Sequence, residues 1–193
     1  QARASAMAEC AAHHPEPMLA VSGLSKAALP LLCRQSGAVM ANLNAPDQVV
    51  LSGTVSAIER AEALVKEAGA KRAMRLDVAG AFHSPLMQPA AAKFGEALAK
   101  VRMSAPQFPV ISNVTAQPVS DPETIRELLV KQIVSPVLWE PSMRWLVQQG
   151  ATTFVEFPPA RVLTGLLRRI DSSVKGIAVD DPTDFDKLGV AAS

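Results

Sequence analysis

Residues 38–53 read AVMANLNAPDQVVLSG. Two short apolar runs, 38–42 (AVMAN) and 48–51 (QVVL), flank Asn44-Ala45-Pro46-Asp47. That tetrapeptide is turn chemistry, because Asn and Asp bond their own backbone and Pro fixes φ. The stretch predicts two strands in succession with no helix between them. Its neighbours then decide the fold. Upstream, residues 18–23 (MLAVSG) predict a strand. Ser25 opens SKAALPLLCRQSG, a helix with Leu29, Leu32 and Cys33 on one side and Gly37 as its stop. Pro30 falls late for a first-turn proline, which predicts a kink or irregularity. Downstream, Ser56-Ala57-Ile58-Glu59 has the capping-box pattern of a helix start. Ile58, Ala61, Leu64, Val65 and Ala68 keep helical spacing up to Gly69. Residues 71–78 (KRAMRLDV) alternate like a strand. The order β-α-β-β-α-β is the split βαβ of a ferredoxin-like unit.

Beyond residue 80 strands and helices alternate. Leu86, Ala90, Phe94, Ala97, Leu98 and Val101 mark one helix face, with Pro89 in its opening turn. A strand is expected over 109–114 (PVISNV). Asp121-Pro122 pairs an N-cap with a first-position proline and predicts a helix to about Val134, stopped by Ser135-Pro136. A further helix is expected over 139–149, a strand over 152–157 (TTFVEF) and a helix over 161–170. The pattern implies an α/β body carrying the ferredoxin-like unit as an insertion.

Composition narrows the function classes. The 193 residues are 49% hydrophobic and 19% charged, which suits a packed core and argues against disorder. Net charge is +1, so nothing draws the whole chain to nucleic acid or membrane. The strands of the ferredoxin-like unit lack the aromatics on which RNA-binding sheets stack bases. Two cysteines make no disulfide framework and fit a reducing compartment. No run is long enough for a membrane-spanning helix. Cys10, His13 and His14 lack a second ligand pair, so no metal is expected. The sequence opens on QARASAMAECAA, which reads as mid-helix, so Gln1 is taken as a truncation or cleavage point with any targeting segment upstream.

The segment GAFHSPLM, residues 80–87, places His83 at a strand-to-helix junction. The positive end of a helix disfavours imidazolium, and a neutral imidazole is what a general base needs. Such a base also needs a partner to fix its tautomer. No carboxylate spacing nominates one, whereas the free carbonyls of a helix C-terminus are a suitable acceptor.

These residues carry a resemblance. GAFHSPLM, with residues 42–53 (NLNAPDQVVLSG), 69–72 (GAKR), 109–116 (PVISNVTA), 129–139 (LVKQIVSPVLW) and 161–170 (RVLTGLLRRI), is similar to the C-terminal part of the malonyl-CoA:acyl carrier protein transacylases. The resemblance implies an α/β-hydrolase-like body, incomplete here, with an inserted ferredoxin-like subdomain. Its boundaries would be 1–16 and 80–193 for the body and 17–79 for the insertion. It implies transfer of malonyl from coenzyme A to a serine and then to the phosphopantetheine thiol of acyl carrier protein, in fatty acid biosynthesis. By position, His83 resembles the general base and Gln132 the residue whose backbone carbonyl orients it. Arg3 resembles the arginine that clamps the malonyl carboxylate, for which a guanidinium fork is suited. Asn42 and Asn44 align near the pantetheine channel, and Ala81-Phe82-His83 resembles the malonyl-preferring form of the motif. No cofactor and no metal is implied; the partners are malonyl-CoA and acyl carrier protein, and a monomer is expected. Lys71, Arg72 and Arg75, and Arg161, Arg168 and Arg169, are candidate contacts for an acidic carrier or simply solvated faces.

The departures are specific. No G-x-S-x-G elbow occurs in the sequence, so the nucleophile is expected upstream of residue 1. Ala4 follows Arg3 where the family usually has glycine, and Phe157-Pro158-Pro159-Ala160 replaces a glycine-proline-glycine-like turn. Two alternatives follow: a non-catalytic carrier-protein or coenzyme A binding remnant, and the acyltransferase domain of a polyketide or fatty acid synthase. The compartment is left open: cytoplasm, or plastid or mitochondrion if a targeting segment precedes.

Overall fold

The computed structural model describes residues 1–13, 15–159 and 161–188. His14 and Ala160 lie outside the described residues. Helix α1 (Ala2–His13) precedes a four-stranded sheet of β1 (Met18–Ser22), β2 (Val39–Ala45), β3 (Gln48–Ser52) and β4 (Arg72–Leu76). The strand order is β2-β3-β1-β4 and every neighbouring pair is antiparallel. Side-chain alternation explains why the sheet is covered on both sides. Leu19, Val21, Val49 and Leu51 point to one face, where α2 (Leu29–Ser36) and α3 (Val55–Glu67) bury them with Leu29, Ile58 and Val65. Met18, Ala41 and Val50 point to the other face and pack with Ala20, Leu76 and Phe82. Phe82 immediately precedes His83, so the sheet's second face anchors that segment.

Local chemistry corrects several expectations. Lys26–Ala28 form a 3₁₀ turn and α2 starts at Leu29, so Pro30 is a first-turn proline after all. Gly37, at φ +81°, ends the helix with its N–H on the Cys33 carbonyl at 2.9 Å. Thr54, not Ser56, caps α3: its hydroxyl accepts the Ala57 N–H at 3.2 Å, and Ser56 is already helical. Strand β2 extends through Asn42 and Asn44 to Ala45 by way of two bulges, leaving Pro46-Asp47 as the turn.

After β4 the chain passes through the 3₁₀ turn Pro85–Met87 into α4 (Gln88–Ala99). The strand expected over 109–114 shrinks to β5 (Val110–Ile111), paired with a β6 (Pro118–Val119) that alternation was too short to reveal. Helix α5 (Pro122–Lys131) starts at the Asp121 cap, whose carboxylate accepts the Thr124 N–H at 2.7 Å. Helix α6 (Trp139–Gln148), β7 (Thr153–Glu156), α7 (Val162–Ile170) and β8 (Lys175–Ala178) follow, with β7 and β8 parallel. The buried Glu156 carboxylate caps α7 through the Leu163 and Thr164 N–H groups, each at 2.8 Å. Helices α1 and α4 share a core of Met7, Cys10, Met87, Phe94 and Ile133. No helix among the described residues is long and apolar enough to cross a membrane.

Three ties join the antiparallel sheet to the C-terminal elements. Val137 bridges β2, giving its N–H to the Ala41 carbonyl at 2.8 Å and accepting from Leu43 N–H at 2.9 Å. Lys26 pairs with the buried Glu140, which also holds Arg144 Nε at 2.8 Å. Arg169 pairs with Asp47. Of the basic residues noted in the sequence, Arg75 is bonded to Glu62 and Arg161 to Asp180, both at 3.1 Å.

Ile58 is fully buried between α3 and the sheet. Ile58→Ala is expected to cost about 2–5 kcal/mol in urea unfolding, and Glu59→Ala on the exposed side well under ~1 kcal/mol. Equal effects would contradict the core assignment.

Candidate active site

The site is built where α5 ends. Helix α5 stops at Gln132, the first residue of a short turn that leads to Val137 on β2. Because the helix ends there, the Gln132 carbonyl has no intrahelical donor. His83 supplies one: its Nδ1 lies 3.0 Å from that oxygen, across 49 residues of sequence. A carbonyl only accepts, so Nδ1 is the donor and carries the proton. Nε2 is then left as a lone-pair base. The Gln132 side chain fixes the same turn, its amide donating to the Ser135 carbonyl at 3.1 Å.

The electrostatics favour the neutral ring. Burial pushes the His83 imidazole below the usual histidine range, the bond to Gln132 opposes that shift, the charge of Arg3 reinforces it, and the Ser135 backbone opposes it in turn. Arg3 reaches this neighbourhood because α1 packs on α4 and on the turn after His83. Arg3 and Gln132 also line an open cleft of about 420 Å³ together with Ser112, Asn113, Ile125 and Leu129. Among the described residues that line this cleft Arg3 is the one cation, and His83 is not one of them.

Of the residues nominated by sequence, the fold brings His83, Gln132 and Arg3 together. Asn42 and Asn44 sit half-buried in β2 and do not line this cleft; Asn42 faces Val137 through a backbone bridge. Among the described residues no serine hydroxyl or cysteine thiol bonds to the imidazole. Ser112 lines the cleft, but its hydroxyl accepts the Val114 N–H at 3.1 Å within its own turn. No group of His, Cys, Asp and Glu among the described residues could hold a metal ion. Sequence reading passed over one support of the site, Val137, which gives no side-chain signal because it acts through its backbone. Ser84 did give a signal, the Ser-Pro pair of a helix start, and it caps the Pro85–Met87 turn.

The acyl transferase domain model matches residues 2–181. The chain belongs to that family. Malonyl CoA-acyl carrier protein transacylase of Bacillus subtilis (strain 168) is 46% identical over 147 residues, covering 76% of this chain and 46% of the relative. The crystal structure of acyl-carrier-protein-S-malonyltransferase from Bartonella henselae superposes with a TM-score of 0.92 at 37% identity, covering 98% of this chain and 63% of that one. A type II PKS acyl-carrier protein in complex with its malonyl-transacylase gives 0.89 at 36% identity, over 96% of this chain and 61% of that one. This acyl transferase chain thus spans about half the length of the curated relatives it matches.

An NMR titration of the chain is expected to place the His83 midpoint below the ordinary value of about 6.5. The unfolded chain takes up that proton more readily, so folding stability falls as pH drops from about 6.5 to the folded midpoint and is level above it. His83→Gln removes this part of the pH dependence. A midpoint above 6.5 would contradict the lowering by burial.

Proposed function

We propose that this chain is the base-bearing part of a malonyl-CoA:acyl carrier protein transacylase. One observation carries the reading: the half-buried His83 is anchored at Nδ1 by a helix-end carbonyl, which frees Nε2, and the charge of Arg3 acts on the same ring. In this reading His83 Nε2 takes the proton of a serine hydroxyl supplied by the longer protein. The serine oxygen bonds the thioester carbonyl, the C–S bond breaks, and the proton passes to the coenzyme A sulfur. The second half runs the same path in reverse with the phosphopantetheine thiol of acyl carrier protein. The thioester is already activated, so no cofactor enters the scheme. Arg3 holds the free carboxylate of the malonyl group bidentately. Gln132 contributes its carbonyl, and Asn42 and Asn44, which do not line the Arg3 cleft, are left as contacts for the pantetheine of the incoming donor.

The finer architecture belongs to the same proposal. Residues 17–79 form the ferredoxin-like insertion, supported by the strand order β2-β3-β1-β4 with both helices on one face. Residues 1–16 and 80–193 form part of a hydrolase-like body, supported by the parallel β7-α7-β8 unit. A second reading, a carrier-protein or coenzyme A binding remnant, draws on the absence of a G-x-S-x-G elbow from the sequence.

Two substitutions in the longer protein separate these readings. His83→Ala is expected to slow malonyl transfer by ~10²–10⁴-fold, the usual loss for a positioned base. A near-normal rate would remove His83 from the chemistry. Arg3→Ala is expected to reduce malonyl transfer far more than acetyl transfer, because only malonyl offers a carboxylate to the guanidinium. Parallel assays with the two thioesters check this; equal losses would make Arg3 structural.

A further inference from the structure

His83 adopts φ +58°, in the left-handed region that a residue with a Cβ enters at a cost. Such a conformation persists only where the surroundings over-determine it. The Gln132 contact alone does not do so, since it holds the ring and not the peptide groups that set φ.

Ser84 holds those peptide groups. It is 1% exposed, and its hydroxyl donates to the Ala81 carbonyl at 2.6 Å while accepting the Leu86 N–H at 3.3 Å. The first bond reaches back over His83 and the second reaches forward into the Pro85–Met87 turn. Ala81 is fully buried, so water does not replace the donor its carbonyl would lose. Both ends are further anchored: Phe82 packs under the sheet, and Met87 N–H bonds the Ser84 carbonyl at 3.0 Å. The hydroxyl carries no charge and makes no bond to the imidazole, so it acts on the ring only through the backbone.

We propose that Ser84 is a positioning residue for His83: its hydroxyl staples the peptide groups on either side of the histidine and so fixes the left-handed turn that delivers Nδ1 to the Gln132 carbonyl. The catalytic consequence rests on His83 being the base; the geometric claim does not.

The test reads the ring itself, in residues 1–193 without substrate. Arg3 on α1 is the charged group that acts on this imidazole, and it is unchanged in every variant. In Ser84→Ala the His83 midpoint is expected to rise toward the ordinary histidine value as the ring leaves its half-buried seat. The slowly exchanging Nδ1–H resonance should be lost with it. Ser84→Thr, which keeps the hydroxyl, is expected to restore both signals. An unchanged midpoint and a retained Nδ1–H in Ser84→Ala would overturn the proposal, as would a threonine variant that behaves like alanine. If Ser84→Ala does not fold, Ser84→Cys keeps the side-chain size with a much weaker donor and is read against the same two signals. In the longer protein, Ser84→Ala is expected to lower kcat by up to ~10²-fold with little change in KM, the pattern of a misplaced catalytic group. A failure of His83→Ala to slow transfer would refute the base and leave the Ser84 titration result standing.

Discussion

The site depends on how residues 132–138 are held at both ends. At one end α5 stops and leaves the Gln132 carbonyl without an intrahelical donor. At the other, Val137 exchanges backbone hydrogen bonds with Ala41 and Leu43 of β2, and Leu138 N–H bonds the Asn113 carbonyl at 2.8 Å. The acceptor for His83 is therefore fixed by the antiparallel sheet and the C-terminal helices together. Phe82, packed half-buried under the same sheet, fixes the donor. An imidazole whose donor and acceptor are both tied to one sheet keeps its geometry only while that sheet stays docked. The Lys26–Glu140 and Arg169–Asp47 pairs contribute to that docking, the first through a buried carboxylate that would be costly to leave unpaired.

A carbonyl in place of the carboxylate of a serine-protease-type triad changes the electrostatics of the base. A carboxylate would stabilise imidazolium and raise the ring's proton affinity. A neutral carbonyl fixes the tautomer with a much smaller effect of that kind, and here burial outweighs it. Arg3 pushes in the same direction as burial. In the proposed reading the same cation also meets the acidic acyl group.

Much of this was legible in the sequence, for reasons that differ by residue. The β-α-β-β-α-β order followed from apolar alternation in 18–23, 48–51 and 71–78 and from helical spacing between Ile58 and Ala68. Both signals arise from faces that bury against one core. Boundaries were less legible, because caps compete locally: Thr54 and Ser56 are both plausible before Ala57, and only the hydrogen bond decides. Short pairings such as β5 with β6 have too few residues to alternate. His83 stood out by its place before Ser-Pro. Its bond to Gln132 entered only through resemblance, since a contact 49 residues away that uses a main-chain oxygen leaves no side-chain pattern to read.

The proposed mechanism divides the labour, with the base on this chain and the nucleophile on a segment of a longer protein. The most direct test incubates residues 1–193 and the longer protein separately with radiolabelled malonyl-CoA, denatures both and locates protein-bound label. The account predicts stoichiometric label on a serine of the longer protein outside this sequence, and none on residues 1–193. Stoichiometric label on the chain itself, lost when one of its own serines is replaced by alanine, would contradict it.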